Sequence, residues 1–158
     1  MKNKNNRPWR VIIDTNIWIS FLIGKHLAGL HRHINSGQVK IVTCKMQLQE
    51  LVDVLNRPRI RKYISESQAE EFLDLLCEVA FIVEPKQGAA ICRDPKDDYL
   101  LYTAITAKAN YLVSGDNDLL ILDHIGNTQI ISYTNFDILL KSVEDVQNNA
   151  SSTGSNRE

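Results

Sequence analysis

Cysteine is scarce in this sequence and scattered: Cys44, Cys77 and Cys92 stand far apart and form no C-x-x-C pair. That excludes a disulfide framework and a zinc site of the usual Cys/His spacing, and it suits a reducing cytoplasm. No apolar run approaches the length that spans a bilayer. The basic start, Met1 to Arg7, leads into an apolar stretch that Asp14, Thr15 and Asn16 interrupt, so neither a membrane anchor nor a secretion signal is expected. Charge of one sign is lacking too. The formal net charge is -1, which leaves no global attraction for nucleic acid. A nucleic-acid partner would have to be held by a local basic patch or through bound metal. There is no phosphate-cradling G-x-x-x-x-G-K, no dinucleotide-binding G-x-G-x-x-G and no nucleophile elbow. His31 and His33 are two apart and cannot share a helix face, while His26 and His124 stand alone; all four read as solvated surface.

What remains is a chain of 158 residues with 44% hydrophobic content, enough for one domain with a real core. Short apolar runs at Trp9–Ile13, Val39–Thr43, Phe81–Val83, Tyr111–Val113 and Thr128–Ile131 read as strands. Between them lie helical patterns at Ile17–Ile23, Leu27–Ile34, Lys45–Leu55, a helix opened by a Ser67/Glu70 capping box and running to about Ala80, and Asp97–Ala109. A short helix is expected over Asn117–Leu122 and a last one from Thr134 to about Val143. Strands alternating with helices imply an α/β fold, a three-layer α/β/α sandwich on a mostly parallel central sheet. The expected organisation is a loose N-terminus over residues 1–8, one domain over 9–143, and a disordered polar tail over 144–158.

In open parallel sheets, ligands bind beyond the carboxyl ends of the strands. Asp14 ends the first strand there, and Asp116 and Asp118 follow Tyr111–Val113. Each alone reads as well as a helix cap or a turn. Asp97 precedes Leu100 and Leu101 by three and four residues, so it shares the inward face of its helix with Leu100, Leu101, Ala104 and Ile105. Asp98 is rotated from that face. Asp14, Asp97 and Asp116 would thus meet at one sheet edge, where crowded carboxylates repel unless a cation joins them. An all-oxygen site suits Mg²⁺ or Mn²⁺, ions that support phosphodiester hydrolysis. One locally basic segment, Arg57, Arg59, Arg61 and Lys62, with Tyr63 beside it, reads either as a solvated loop or as a phosphate-contacting patch.

These motifs together resemble the PIN-domain nucleases. Val11-Ile12-Ile13-Asp14-Thr15-Asn16-Ile17 is similar to their opening strand signature. Asp97 to Ala104 resembles their third acidic motif, and Tyr111 to Leu120 the fourth. The second acid of the family lies in the helix after the second strand, where Glu50 stands. The run Cys92 to Asp98 is similar to a bacterial subgroup described as toxin components, VapC-like in type. The resemblance covers about residues 9 to 140, and four motifs in order at this spacing are specific.

The resemblance implies one or two Mg²⁺ or Mn²⁺ ions held by Asp14, Glu50, Asp97 and Asp116, with Asp118 as a further ligand. It implies Asn16 and Ser114 in supporting polar roles, RNA hydrolysis by an activated water, a homodimer, and a cognate antitoxin protein. From periodicity alone Glu50 points away from the apolar face formed by Leu48, Leu51, Val52 and Leu55, so it enters through the resemblance only. Two other readings stay open: a catalytically weak RNA- or protein-binding module on the same fold, and another Mg²⁺-dependent α/β phosphohydrolase. Asn16, standing where an aspartyl phosphatase would want its second acid, counts against the last.

Overall fold

A computed structural model describes residues 7–86, 88 and 98–152. Its first strand, β1 (Trp9–Ile13), is apolar on both faces, as a central parallel strand must be. Among the described residues six strands lie in the order β3-β2-β1-β4-β6-β5, with β2 (Val39–Thr43), β3 (Phe81–Ile82), β4 (Tyr111–Val113), β5 (His124–Ile125) and β6 (Thr128–Ile131). All neighbours pair in parallel except β5, which turns back antiparallel on β6. That hairpin was not expected. Its turn rests on Gly126, whose φ of 56° favours a residue without a side chain.

The helices are α1 (Thr15–Gly24), α2 (Leu27–Asn35), α3 (Lys45–Leu55), α4 (Pro58–Arg61), α5 (Glu66–Val79), α6 (Asp98–Ala107), α7 (Asn117–Leu120) and α8 (Tyr133–Ser152). They cover the sheet in two layers. Val11 and Ile13 of β1 join one core with residues of α1, α2, α3, α5 and α8. Ile12, between them, faces a second core with Leu100, Leu101 and Ala104 of α6 and Leu119 of α7. The strand period of two therefore sorts β1 between the two helical layers, and the expected α/β/α sandwich with a mostly parallel sheet stands.

Some details differ from the sequence reading. The capping box is Ser65 with Gln68, not Ser67 with Glu70; the Ser65 hydroxyl accepts from the Gln68 N–H at 3.1 Å while Gln68 Oε1 accepts from the Ser65 N–H. Pro58 follows α3 but also opens α4 at its first turn, where its missing N–H costs nothing. α8 continues past Val143 to Ser152, so residues 144–152 are helical rather than a disordered tail. No Pro or Gly interrupts them, and Glu144 pairs with His33 at 3.2 Å. His33 is accordingly buried, not solvated. Among the described residues no helix is long and apolar enough to cross a membrane.

Candidate active site

The chain leaves β1 toward β2 and β3 on one side, then returns to place β4 on the other. The carboxyl ends of β1 and β4 thus flank a topological switch point, the place where open α/β sheets bind ligands. Asp14 and Ser114 are the residues immediately past those two strands. The Asp14 N–H donates to Val113 O at 2.9 Å, and the Ser114 N–H to Ile131 O at 3.0 Å, so the sheet's own ladder sets their positions.

Both side chains are buried, and the Ser114 hydroxyl donates to Asp14 Oδ2 at 2.7 Å. Ser114 Oγ also accepts from the Asp116 N–H at 3.0 Å. Asp116 in turn caps α7, its Oδ1 accepting from the Asp118 N–H at 2.9 Å. One hydroxyl therefore ties the first acidic motif to the fourth. Asp116 and Asp118 are half-buried at the start of α7. Asn16 keeps an exposed side chain; it is its backbone N–H that bears on the Asp14 carboxylate.

Glu50 also comes to this edge. Thr15 Oγ1 donates to Glu50 Oε2 at 3.2 Å, and the Tyr99 hydroxyl donates to the same oxygen. The reason lies one turn earlier in α3. Gln47 is fully buried; its Nε2 donates to Ile13 O at 2.6 Å and its Oε1 accepts from Thr43 Oγ1 at 2.6 Å. The buried stripe of α3 is therefore Gln47, Leu51, Val54 and Leu55, while Leu48 and Val52 are only half-buried. This stripe is turned toward Glu50 relative to the one expected from apolar residues alone. Gln47 escaped the sequence reading because a polar residue is normally counted on the wet side. A Gln next to strand-end Thr43 and Cys44, one turn ahead of the acid, was the signal available.

Burial pushes the Asp14 carboxyl above the usual range. The Ser114 hydroxyl opposes that shift, the Glu50 charge adds to it, the Asn16 N–H opposes it, and the Asp116 charge adds again. The Tyr99 phenol is pushed far up, first by burial and then by its bond to Glu50, so it stays a donor. Among the described residues no ion pair involves Asp14, Glu50 or Asp116; the three ion pairs present lie elsewhere. Among the described residues the edge is acidic without a resident counter-charge.

Asp97 lies outside the described residues. Its neighbour Asp98, expected to turn from the inner face, is buried at the start of α6. Leu100 to Ala104 are buried without a gap, whereas Ile105 is exposed. α6 is thus covered around most of its circumference, and a single-face argument does not rank the two acids. The basic segment forms α4, anchored by buried Ile60, with Arg57, Arg59 and Lys62 exposed and Arg61 half-buried, donating to Asn56 Oδ1 at 2.6 Å. α3 ends at Leu55, about 7.5 Å beyond Glu50 along its axis, and α4 begins after that end at Pro58.

A family model described as the PIN domain matches residues 10–118. The chain belongs to the PIN domain family. An uncharacterized protein of Methanocaldococcus jannaschii is 32% identical over 118 residues, covering 72% of this chain and 74% of that protein. Among solved structures, VapBC2 from Rickettsia felis, bound to a DNA fragment from their promoter, matches 77% of this chain and 96% of its own with a TM-score of 0.50 and 18% identity. At that identity the likeness concerns the fold.

PIN domains are in general nucleases that use divalent metal ions. Among the described residues, no group of three or more His, Cys, Asp or Glu side chains stands ready to hold a metal. The donor chemistry of this PIN domain nonetheless fits a hard cation. Asp14, Glu50 and Asp116 offer only carboxylate oxygens, and their mutual repulsion is what a divalent ion would relieve.

Proposed function

We propose that this PIN domain is a Mg²⁺- or Mn²⁺-dependent endoribonuclease, the toxin component of a toxin–antitoxin pair. The observation that carries the reading is the acidic edge at the β1/β4 switch point, without an ion-pair partner among the described residues, where Glu50 and Asp116 both raise the Asp14 carboxyl. Asp14, Glu50, Asp97 and Asp116 would hold one or two ions, with Asp118 as a further ligand. A bound ion would supply an activated water and neutralise charge on the scissile phosphate.

The chain's own part is placement. Ser114 donates to Asp14 and fixes its orientation, while Asp116 is held by its capping role on α7. Thr15 restrains Glu50. Arg57, Arg59, Arg61 and Lys62 would hold the RNA backbone, and a single-stranded or looped RNA is the substrate class whose bases are free to be reached. The fold shared with VapBC2 supports the toxin reading and a cognate antitoxin; a homodimer and a cytoplasmic setting belong to the same proposal.

Cleavage of a labelled single-stranded RNA tests the proposal. The wild-type chain is expected to cut with Mn²⁺ or Mg²⁺ and to stop with chelator. Asp14→Asn and Asp97→Asn are expected to abolish cutting while leaving the fold intact. An Asp14→Asn protein that cuts as the wild type does would overturn the assignment. No cutting in any metal, without metal binding, would favour a binding module on the same fold.

A further inference from the structure

Glu50 reaches the edge from within a helix, with neither a strand end nor a helix cap to position it. It sits on an exposed turn of α3, on a long side chain that would otherwise sample several rotamers. Two donors restrain it, and both use Oε2: the Thr15 hydroxyl and the Tyr99 phenol. Oε1 takes no hydrogen bond among the described residues.

Tyr99 is itself firmly carried. It lies in the first turn of α6 between buried Asp98 and Leu100, and its carbonyl accepts from Thr103 Oγ1 at 2.6 Å. Its hydroxyl spans from the α6 layer of the sheet to a helix of the opposite layer.

We propose that Tyr99 is the positioning residue that orients Glu50 as a metal ligand, so that α6 sets where the acid of α3 stands. A neutral donor is the chemically suitable restraint. A lysine or arginine in its place would hold the carboxylate equally well but would neutralise the charge a cation needs. With Oε2 engaged by two hydroxyls, Oε1 is the oxygen left to the ion. The inference rests on the metal-dependent reading given above.

Mn²⁺ titration calorimetry on the full chain tests it, with wild type, Tyr99→Phe, Glu50→Gln and the double variant, and with metal-free melting temperatures alongside. Tyr99→Phe removes only the hydroxyl and is expected to weaken Mn²⁺ binding about tenfold, in the range seen when groups supporting a ligand are removed, with the metal-free melt unchanged. In the Glu50→Gln background the same substitution is expected to add nothing. Wild-type affinity in Tyr99→Phe, beside a loss in Glu50→Gln, would overturn the role of Tyr99 and leave the metal reading standing. An equal loss in both backgrounds would also overturn it, since Tyr99 would then act by a route other than Glu50. No Mn²⁺ binding by the wild type would bring down the metal reading itself, and the inference with it.

Discussion

Asp14 is a buried carboxyl that the fold keeps at a cost. Its pKa is raised in the folded chain, by burial first and by Glu50 and Asp116 after. A raised folded pKa means that the native state binds the proton more tightly than the unfolded one. The group's contribution is therefore fully present below its unfolded value of 3.8 and is lost as pH rises through the folded pKa. Asp14→Asn removes the charge while keeping an acceptor for Ser114. In metal-free buffer this variant is expected to be more stable than wild type at neutral pH, with the difference shrinking as pH falls toward 3.8. Urea unfolding of both chains at two pH values measures it, and equal midpoints at neutral pH would mean that burial at Asp14 is better compensated than its hydrogen bonds suggest.

At the scale of elements, the strands and most helices were legible in the sequence because burial follows apolar pattern there. Val39–Thr43, Lys45–Leu55, Tyr111–Val113 and Thr128–Ile131 have the expected bounds. Asp14 and Asp116 could be read as one edge, since strand ends in a parallel sheet converge, while Ser114 entered through the family resemblance. What failed, at a few residues, was the inference that polar means outside, although His26, His31 and His124 are exposed as expected. Gln47 is buried because two strand-end groups need partners, and that rotates α3 and brings Glu50 to the edge. Asp98 is buried because α6 is enclosed on most sides. His33 is buried because α8 carries Glu144 to it. In each case a long-range partner decides, and periodicity within one element cannot name it. The Gln47 lock is expected to matter energetically: Gln47→Ala orphans Ile13 O and the Thr43 hydroxyl and leaves a void, a loss of about 2–4 kcal/mol. Denaturant unfolding would show it, and a loss well under about 1 kcal/mol, the net worth of one ordinary hydrogen bond, would mean that α3 is held by its apolar stripe alone.

Across the whole molecule, stability and the proposed substrate binding draw on different regions. The buried residues of α8 are Phe136 and Leu140, in its first half. A chain ending at Val143 loses the half-exposed Glu144 partner of His33 and an exposed polar segment, and is expected to lose less than about 1 kcal/mol. Phe136→Ala, by contrast, should cost about 3–5 kcal/mol; thermal melts of the two chains separate these expectations. The basic side chains of α4 lie outside the core, which this helix enters through Ile60. Neutralising Arg59 and Arg61 is expected to weaken RNA binding and to flatten its salt dependence, by roughly one unit of slope for each phosphate that is no longer neutralised. Unchanged affinity and slope in a filter-binding series would make α4 ordinary surface.

The rungs that seat Asp14 and Ser114 run to Val113 and Ile131, between the inner strands of the sheet. Breaking them means separating β1 from β4 and β4 from β6, an opening whose free energy approaches that of unfolding the domain. The Asp14 and Ser114 side of the acidic edge is therefore as rigid as the sheet itself, whereas Glu50 hangs on two side-chain hydroxyls. Whatever governs that rigid side acts by what occupies the strand ends, not by opening the strands.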